Sequence, residues 1–187
     1  MKRALAAALV LLLCLTARAE RAYGTLNGQR IFFVEYDENA FTLDTTGYAH
    51  ENEERFRFHF QLKSGKNDVM CCMEYLPEYR DFSSFSATEE EFRDYISGFD
   101  YAEEGLRYEY RETYRVRVRN GSREAFLPFV IVKVDEGREK SWYAETVSHG
   151  WAVYIEAYNN VSRAADESDL ILLKSILDSF SPISGVK

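Results

Sequence analysis

Five arginines, Arg107, Arg111, Arg115, Arg117 and Arg119, recur at near-alternate positions along one run of the chain. Successive strand residues point to opposite faces, so this spacing sets the five on one face, with neighbours roughly 7 Å apart. Guanidinium groups arranged in this way hold a carboxylate, sulfate or phosphate through paired N–H donors. Arg111, Arg115 and Arg117 are therefore the candidate contacts for an anion or a partner. The competing reading is cross-strand pairing with Glu109, Glu124 and neighbouring acids, worth roughly a few tenths of a kcal/mol per pair.

Cys71 and Cys72 are adjacent. On a regular strand their side chains diverge, so they do not join to each other. With a four-residue loop after Leu62, Val69, Cys71, Met73 and Tyr75 share the core face, and Cys72 faces away. Cys71 then reads as a buried small apolar residue, and Cys72 as either packed or available for an intermolecular bond.

Other catalytic and metal-binding groups are scattered. His50, His59 and His149 form no His-x-His or His-x3-His pair, so no local zinc spacing exists. His59 falls on the polar side of an alternating run, and His149 in a hairpin turn. There is no Gly-x-Ser-x-Gly elbow for a serine nucleophile. The acids Glu51, Glu53 and Glu54, then Glu89, Glu90 and Glu91, then Glu103 and Glu104, lack the alternation and central glycine of a calcium loop. No catalytic residue, cofactor or metal is assigned. Tyr108, Tyr110, Trp142, Tyr143, Trp151, Tyr154 and Tyr158 have strand spacing, which fits core and cross-strand packing better than a carbohydrate or peptide face.

The elements that position these residues begin with an address. Lys2 and Arg3 precede an apolar run over residues 4–15, and Ala17-Arg18-Ala19 supplies a small-x-small cleavage site. The run is shorter than the roughly twenty residues a bilayer needs. Residues 1–19 read as a secretory signal peptide and 20–187 as a single domain, secreted or otherwise extracytoplasmic. Cys14 has Leu13 before it, which disfavours a lipid-attachment site. The full chain carries 23 basic and 31 acidic residues, a net charge of −8. Losing Lys2, Arg3 and Arg18 with the leader leaves 20 against 31, or −11. So acidic a product does not suit nucleic acid or anionic lipid.

Strand signals dominate the remainder. Residues 31–36 and 41–45, separated by Asp37-Glu38-Asn39, read as a short hairpin. Phe56, Phe58, Phe60 and Leu62 alternate with Arg55, Arg57, His59 and Gln61, and residues 69–75 return as their partner strand. Thr88-Glu89-Glu90-Glu91 is a capping box that opens a helix bearing Phe92, Tyr95, Ile96 and Phe99, with Gly98 as its stop. Tyr108, Tyr110, Tyr114, Val116 and Val118 share the face opposite the arginines. Asn120-Gly121 is a hairpin signal, and as a two-residue loop it sets Arg117 opposite Glu124 and Val116 opposite Ala125. Residues 126–134 are apolar on both faces, as in a covered central strand, and Pro128 within them predicts a bulge or a local loss of pairing. Strands at 140–147 and 151–158 join at His149-Gly150, and a helix over 168–180 carries Leu170, Leu173, Ile176, Leu177 and Phe180 on its apolar face. The fold class is α+β, an antiparallel meandering sheet with helices packed on it.

This order of elements resembles the PsbP-like family, named for an extrinsic protein of photosystem II and including many exported bacterial proteins. The opening Ile31-Phe32-Phe33, turn and Phe41-Thr42-Leu43 carry the resemblance. So does the closing run DLILLKSILDSF at 169–180, since a helix ending in Ser-Phe is common among those relatives. Where they often have proline and glycine in the first turn, this chain has Asp37-Glu38-Asn39-Ala40. The resemblance implies a three-layer α/β/α sandwich and a non-catalytic accessory or binding role, and it transfers no functional residue. The expected function is an exported binding module for a protein or cell-envelope partner. A small-ligand or metal-ion binding protein, and a hydrolase with a dispersed site, are the alternatives.

Overall fold

The computed structural model describes residues 19–46, 56–98, 107–120, 123–136, 140–162 and 164–183. The expected signal peptide (but for Ala19), His50, Phe99 and the Gly121 turn position lie outside them. The strands are β1 (Ala19–Leu26), β2 (Gln29–Asp37), β3 (Thr42–Asp44), β4 (Phe56–Lys63), β5 (Asn67–Tyr75), β6 (Arg107–Asn120), β7 (Arg123–Asp135), β8 (Lys140–Ser148), β9 (Trp151–Asn159) and β10 (Ser181–Pro182). Helix α1 is Glu89–Ser97 and α2 is Glu167–Asp178. Neither is long and apolar enough to cross a membrane.

The fold is α+β, with two antiparallel sheets. Strands β1, β2 and β10 form the smaller, in the order β1-β2-β10; the larger runs β3-β4-β5-β9-β8-β7-β6. The first expected hairpin is corrected by this topology. β2 pairs with β1 and β10, whereas β3 pairs with β4 in the other sheet. The Asp37 turn, whose carbonyl accepts the Ala40 and Phe41 N–H groups, thus carries the chain between sheets. The partner of β2 comes from upstream, through Asn27-Gly28, at φ 50° and 77°. Two such left-handed residues make the tight turn whose twist suits paired strands. His149-Gly150, at φ 52° and 78°, joins β8 to β9 in the same way, as expected.

Both helices start at capping boxes. The Thr88 hydroxyl accepts the Glu91 N–H while the Glu91 carboxylate accepts the Thr88 N–H, and Asp166 and Asp169 do the same for α2. Helix α2 and the small sheet cover one face of the large sheet over Phe32, Phe60, Phe129, Leu173, Leu177 and Phe180. Helix α1 covers the opposite face through Phe92 and Tyr95 on Val130, Val132 and Val147. Cys71 belongs to the first core, as the sequence predicts.

Two bulges change the expected faces. The β4–β5 register slips between Phe58 and Phe60, leaving His59 as the extra residue. Phe58 stands opposite Cys72 and Phe60 opposite Cys71, so the phenylalanines do not share one face. His59 turns inward against Phe32, with ring centroids 6.4 Å apart, instead of facing water. The β6–β7 register slips between Tyr110 and Glu112, at Arg111. Tyr108 therefore packs in the α1 core, while Tyr114, Val116 and Val118 pack in the α2 core. An added residue reverses the alternation of everything beyond it.

Candidate functional site

The bulge at Arg111 divides the arginine row. Arg111 lies 3.8 Å from Glu167 at the start of α2. Arg115 and Arg117 are on the α1 side, opposite Pro128 and Phe126 respectively. The pairing is offset from that expected of an Asn120-Gly121 loop. Asn120 stands opposite Arg123, and Val116 faces Leu127 rather than Ala125. The offset preserves the faces, and Arg117 still reaches the Glu124 carboxylate across the diagonal.

Pro128 sits where β7 changes company. The β7–β8 ladder covers only Val130–Asp135 of β7, so the half of β7 containing Phe126 and Pro128 has β6 as its sole ladder partner. Proline, which lacks an N–H, is tolerated on such an open edge. Past Glu145, β8 instead pairs with residues 82–84. Ser84 donates its N–H to the Val147 carbonyl at 2.9 Å, and His149 donates to the Phe82 carbonyl at 2.7 Å. The β6–β7 ribbon thus leaves the sheet just as the segment leading to α1 joins it.

A groove of about 360 Å³ lies in the angle between them. Its wall is α1 with residues 84–88, contributing Phe85, Phe92 and Ile96; its floor is the ribbon, contributing Tyr110, Thr113, Arg115, Phe126 and Pro128. Phe85, Tyr110 and Phe126 are 38%, 42% and 60% exposed, so three of the exposed large apolar side chains border one groove. Such convergence marks binding surfaces, whereas scattered exposed apolar residues do not. Among the described residues Arg115 has no ion pair or side-chain hydrogen bond. Arg93 has Glu89 at 4.0 Å, and the Tyr110 and Thr113 hydroxyls are 3.1 Å apart. The groove can take an apolar group between aromatic rings and an anionic group on Arg115.

Of the three arginines expected as contacts, Arg115 lines the groove, whereas Arg111 lies by Glu167 and Arg117 pairs with Glu124; the sequence carries no signal for Phe85 or Phe126. The sequence predicts Phe126 within a strand covered on both faces, but it lies beyond the end of the β7–β8 ladder. Cys72 carries a free thiol and is 3% exposed, as in the packed alternative. Burial, with Glu156 nearby, pushes its thiol up to about 12. No group of three or more His, Cys, Asp or Glu among the described residues is arranged to hold a metal ion.

A second polar cluster lies beneath α1. Tyr154 donates to Glu74 Oε2 at 2.9 Å, Tyr143 donates to Glu145 Oε2 at 3.3 Å, and the two rings are 5.2 Å apart. Glu145 is 4% exposed, and burial, then the Glu74 charge, raises its carboxyl well above the usual range. A neutral carboxyl satisfied by a tyrosine fits a packed interior.

No protein-family model matches the sequence, and no curated protein sequence matches it. Among solved structures the chain is similar to the solution structure of cyanobacterial PsbP (CyanoP) from Synechocystis sp. PCC 6803. The TM-score is 0.46 at 12% sequence identity, over 89% of this chain and 94% of that one.

Proposed function

We propose that the protein is an exported, non-catalytic binding module that engages a protein or cell-envelope partner through the groove between α1 and the β6–β7 ribbon. The convergence of Phe85, Tyr110 and Phe126 beside Arg115 carries this reading. The export signal at residues 1–19 supports an extracytoplasmic partner. His59 is enclosed between sheets and His149 forms a hairpin turn, which suits a binding role better than a shared catalytic centre.

A photoreactive side chain at position 126, introduced into the protein in its native cell envelope, tests the proposal. The control is position 171, since Ile171 is 67% exposed on α2, away from the groove. A discrete adduct at 126 but not at 171 is expected. Equal labelling at both positions, or none at 126, overturns the reading.

A further inference from the structure

Resting on that reading, we infer that the occupant of the groove is an extended acidic segment of a partner protein, with two apolar side chains flanking one carboxylate at fixed spacing. Charge complementarity points to the carboxylate. The chain carries 31 acidic residues against 23 basic ones, so an exposed arginine left without a carboxylate neighbour is a local exception that attracts an anion. Around the ribbon, Arg93, Arg111 and Arg117 each have a carboxylate neighbour within the protein. Arg115 has none among the described residues and lines the groove. A bidentate carboxylate suits its guanidinium.

The geometry points to an extended chain. Tyr110 stands opposite Val132, Arg115 opposite Pro128, and Phe126 lies two residues before Pro128 on the same strand. At about 3.3 Å per residue, Arg115 lies at a level about 7 Å from Phe126 and about 13 Å from Tyr110. The backbones of Phe126 and Tyr110 are thus about 20 Å apart along the ribbon, a length that an extended chain spans. An extended peptide lying along the ribbon meets all three with side chains at positions 1, 3 and 7, which lie on one of its faces. The predicted pattern is apolar-x-acidic-x-x-x-apolar, or its reverse. The Tyr110 and Thr113 hydroxyls, 3.1 Å apart, lie between the acidic and distal apolar positions.

The test is fluorescence anisotropy with the full mature protein and labelled synthetic peptides. The probes are Leu-Ser-Glu-Ser-Ser-Ser-Leu and its reverse, with Gln or Lys replacing Glu, and a control with Glu moved by one position. The Glu probe in one direction is expected to bind at least tenfold more tightly than the Gln, Lys and shifted probes, and more weakly as salt rises. Arg115→Glu should abolish its binding and favour the Lys probe, while Phe126→Ala weakens both and Arg115→Gln removes the preference for charge. Both side chains are solvent-facing, and a matching thermal unfolding midpoint checks that each variant folds.

Equal binding of the Glu and Gln probes, or unchanged affinity in Arg115→Glu, overturns the inference. If the adduct at position 126 still forms, only the acidic segment falls; if it too is missing, the groove reading falls with it. Self-association that Phe126→Ala dissolves would also overturn the inference, because the occupant would then be a second copy of this chain.

Discussion

The His59 ring accepts the Thr25 backbone N–H on Nδ1 at 3.3 Å, joining β4 of the large sheet to β1 of the small one. Its Nε2 is buried with no hydrogen-bond partner. Burial, and then the Arg57 charge, lowers the imidazole to about 4 from a usual 6.5. The unfolded chain therefore takes up this proton first. The stability that neutral His59 provides is complete above pH 6.5, falls as the pH drops towards 4, and totals about 3 kcal/mol. His59→Gln should flatten this part of the profile. Urea midpoints of wild type and variant that keep a constant difference between pH 7 and pH 4.5 would contradict it.

Glu145 has the opposite sign. Its folded carboxyl is raised by burial and by Glu74, so the unfolded chain loses the proton first as the pH rises. The protein then loses stability above the ordinary glutamate value and up to the raised one. Glu145→Gln keeps an acceptor for the Tyr143 hydroxyl without this liability. It should be more stable than wild type at pH 8, with the advantage shrinking towards pH 4. Thermal midpoints across that range measure it.

The end of α2 is fastened by two successive residues. The Ser179 hydroxyl accepts the Glu35 N–H at 2.8 Å and donates to the Ile176 carbonyl at 2.7 Å. Phe180 stacks on Phe32 at 4.9 Å and meets Phe129 edge-on at 5.2 Å. Phe180→Ala should cost about 3–5 kcal/mol and Ser179→Ala about 1–2, as read by denaturant unfolding.

Both thiols in the described structure are buried, and desolvation holds them protonated. Cys71 and Cys72 should not react with a thiol reagent at pH 8 until denaturant is added, and then both should be modified. Labelling of Cys72 in the folded protein, followed by peptide mapping, would contradict its packed position.

Local signals were legible in the sequence where one residue type solves one local problem. Thr88 and Asp166 open helices because their side chains accept N–H groups that a helix start leaves unpaired. His149-Gly150 turns where left-handed backbone is needed. Asn27-Gly28 carries the same signal for β1, but the sequence of that strand, AERAYGTL, has too few apolar residues in alternation to read as one. The bulges at His59 and Arg111 were not legible, because an arginine or a histidine in a strand looks the same whether paired or extra. Of the groove, Arg115 and Tyr110 were apparent, the latter with a spacing that fitted packing better than a binding face. Phe85 and Phe126 acquire meaning from the parting of β7 and β8, which depends on pairings remote in sequence.

The extra residue at Arg111 acts on its strand as a frameshift acts on a message. Downstream of it, Tyr114, Val116 and Val118 belong to the α2 core; upstream, Tyr108 belongs to the α1 core. Changing the identity of Arg111 leaves that division intact, whereas deleting the position would send one half of β6 to the wrong side of the sheet. This strand should therefore accept many substitutions at Arg111 and no change in length, the reverse of what a surface turn tolerates. Any alignment that absorbs a gap here as a harmless loop difference would pair residues that face opposite cores.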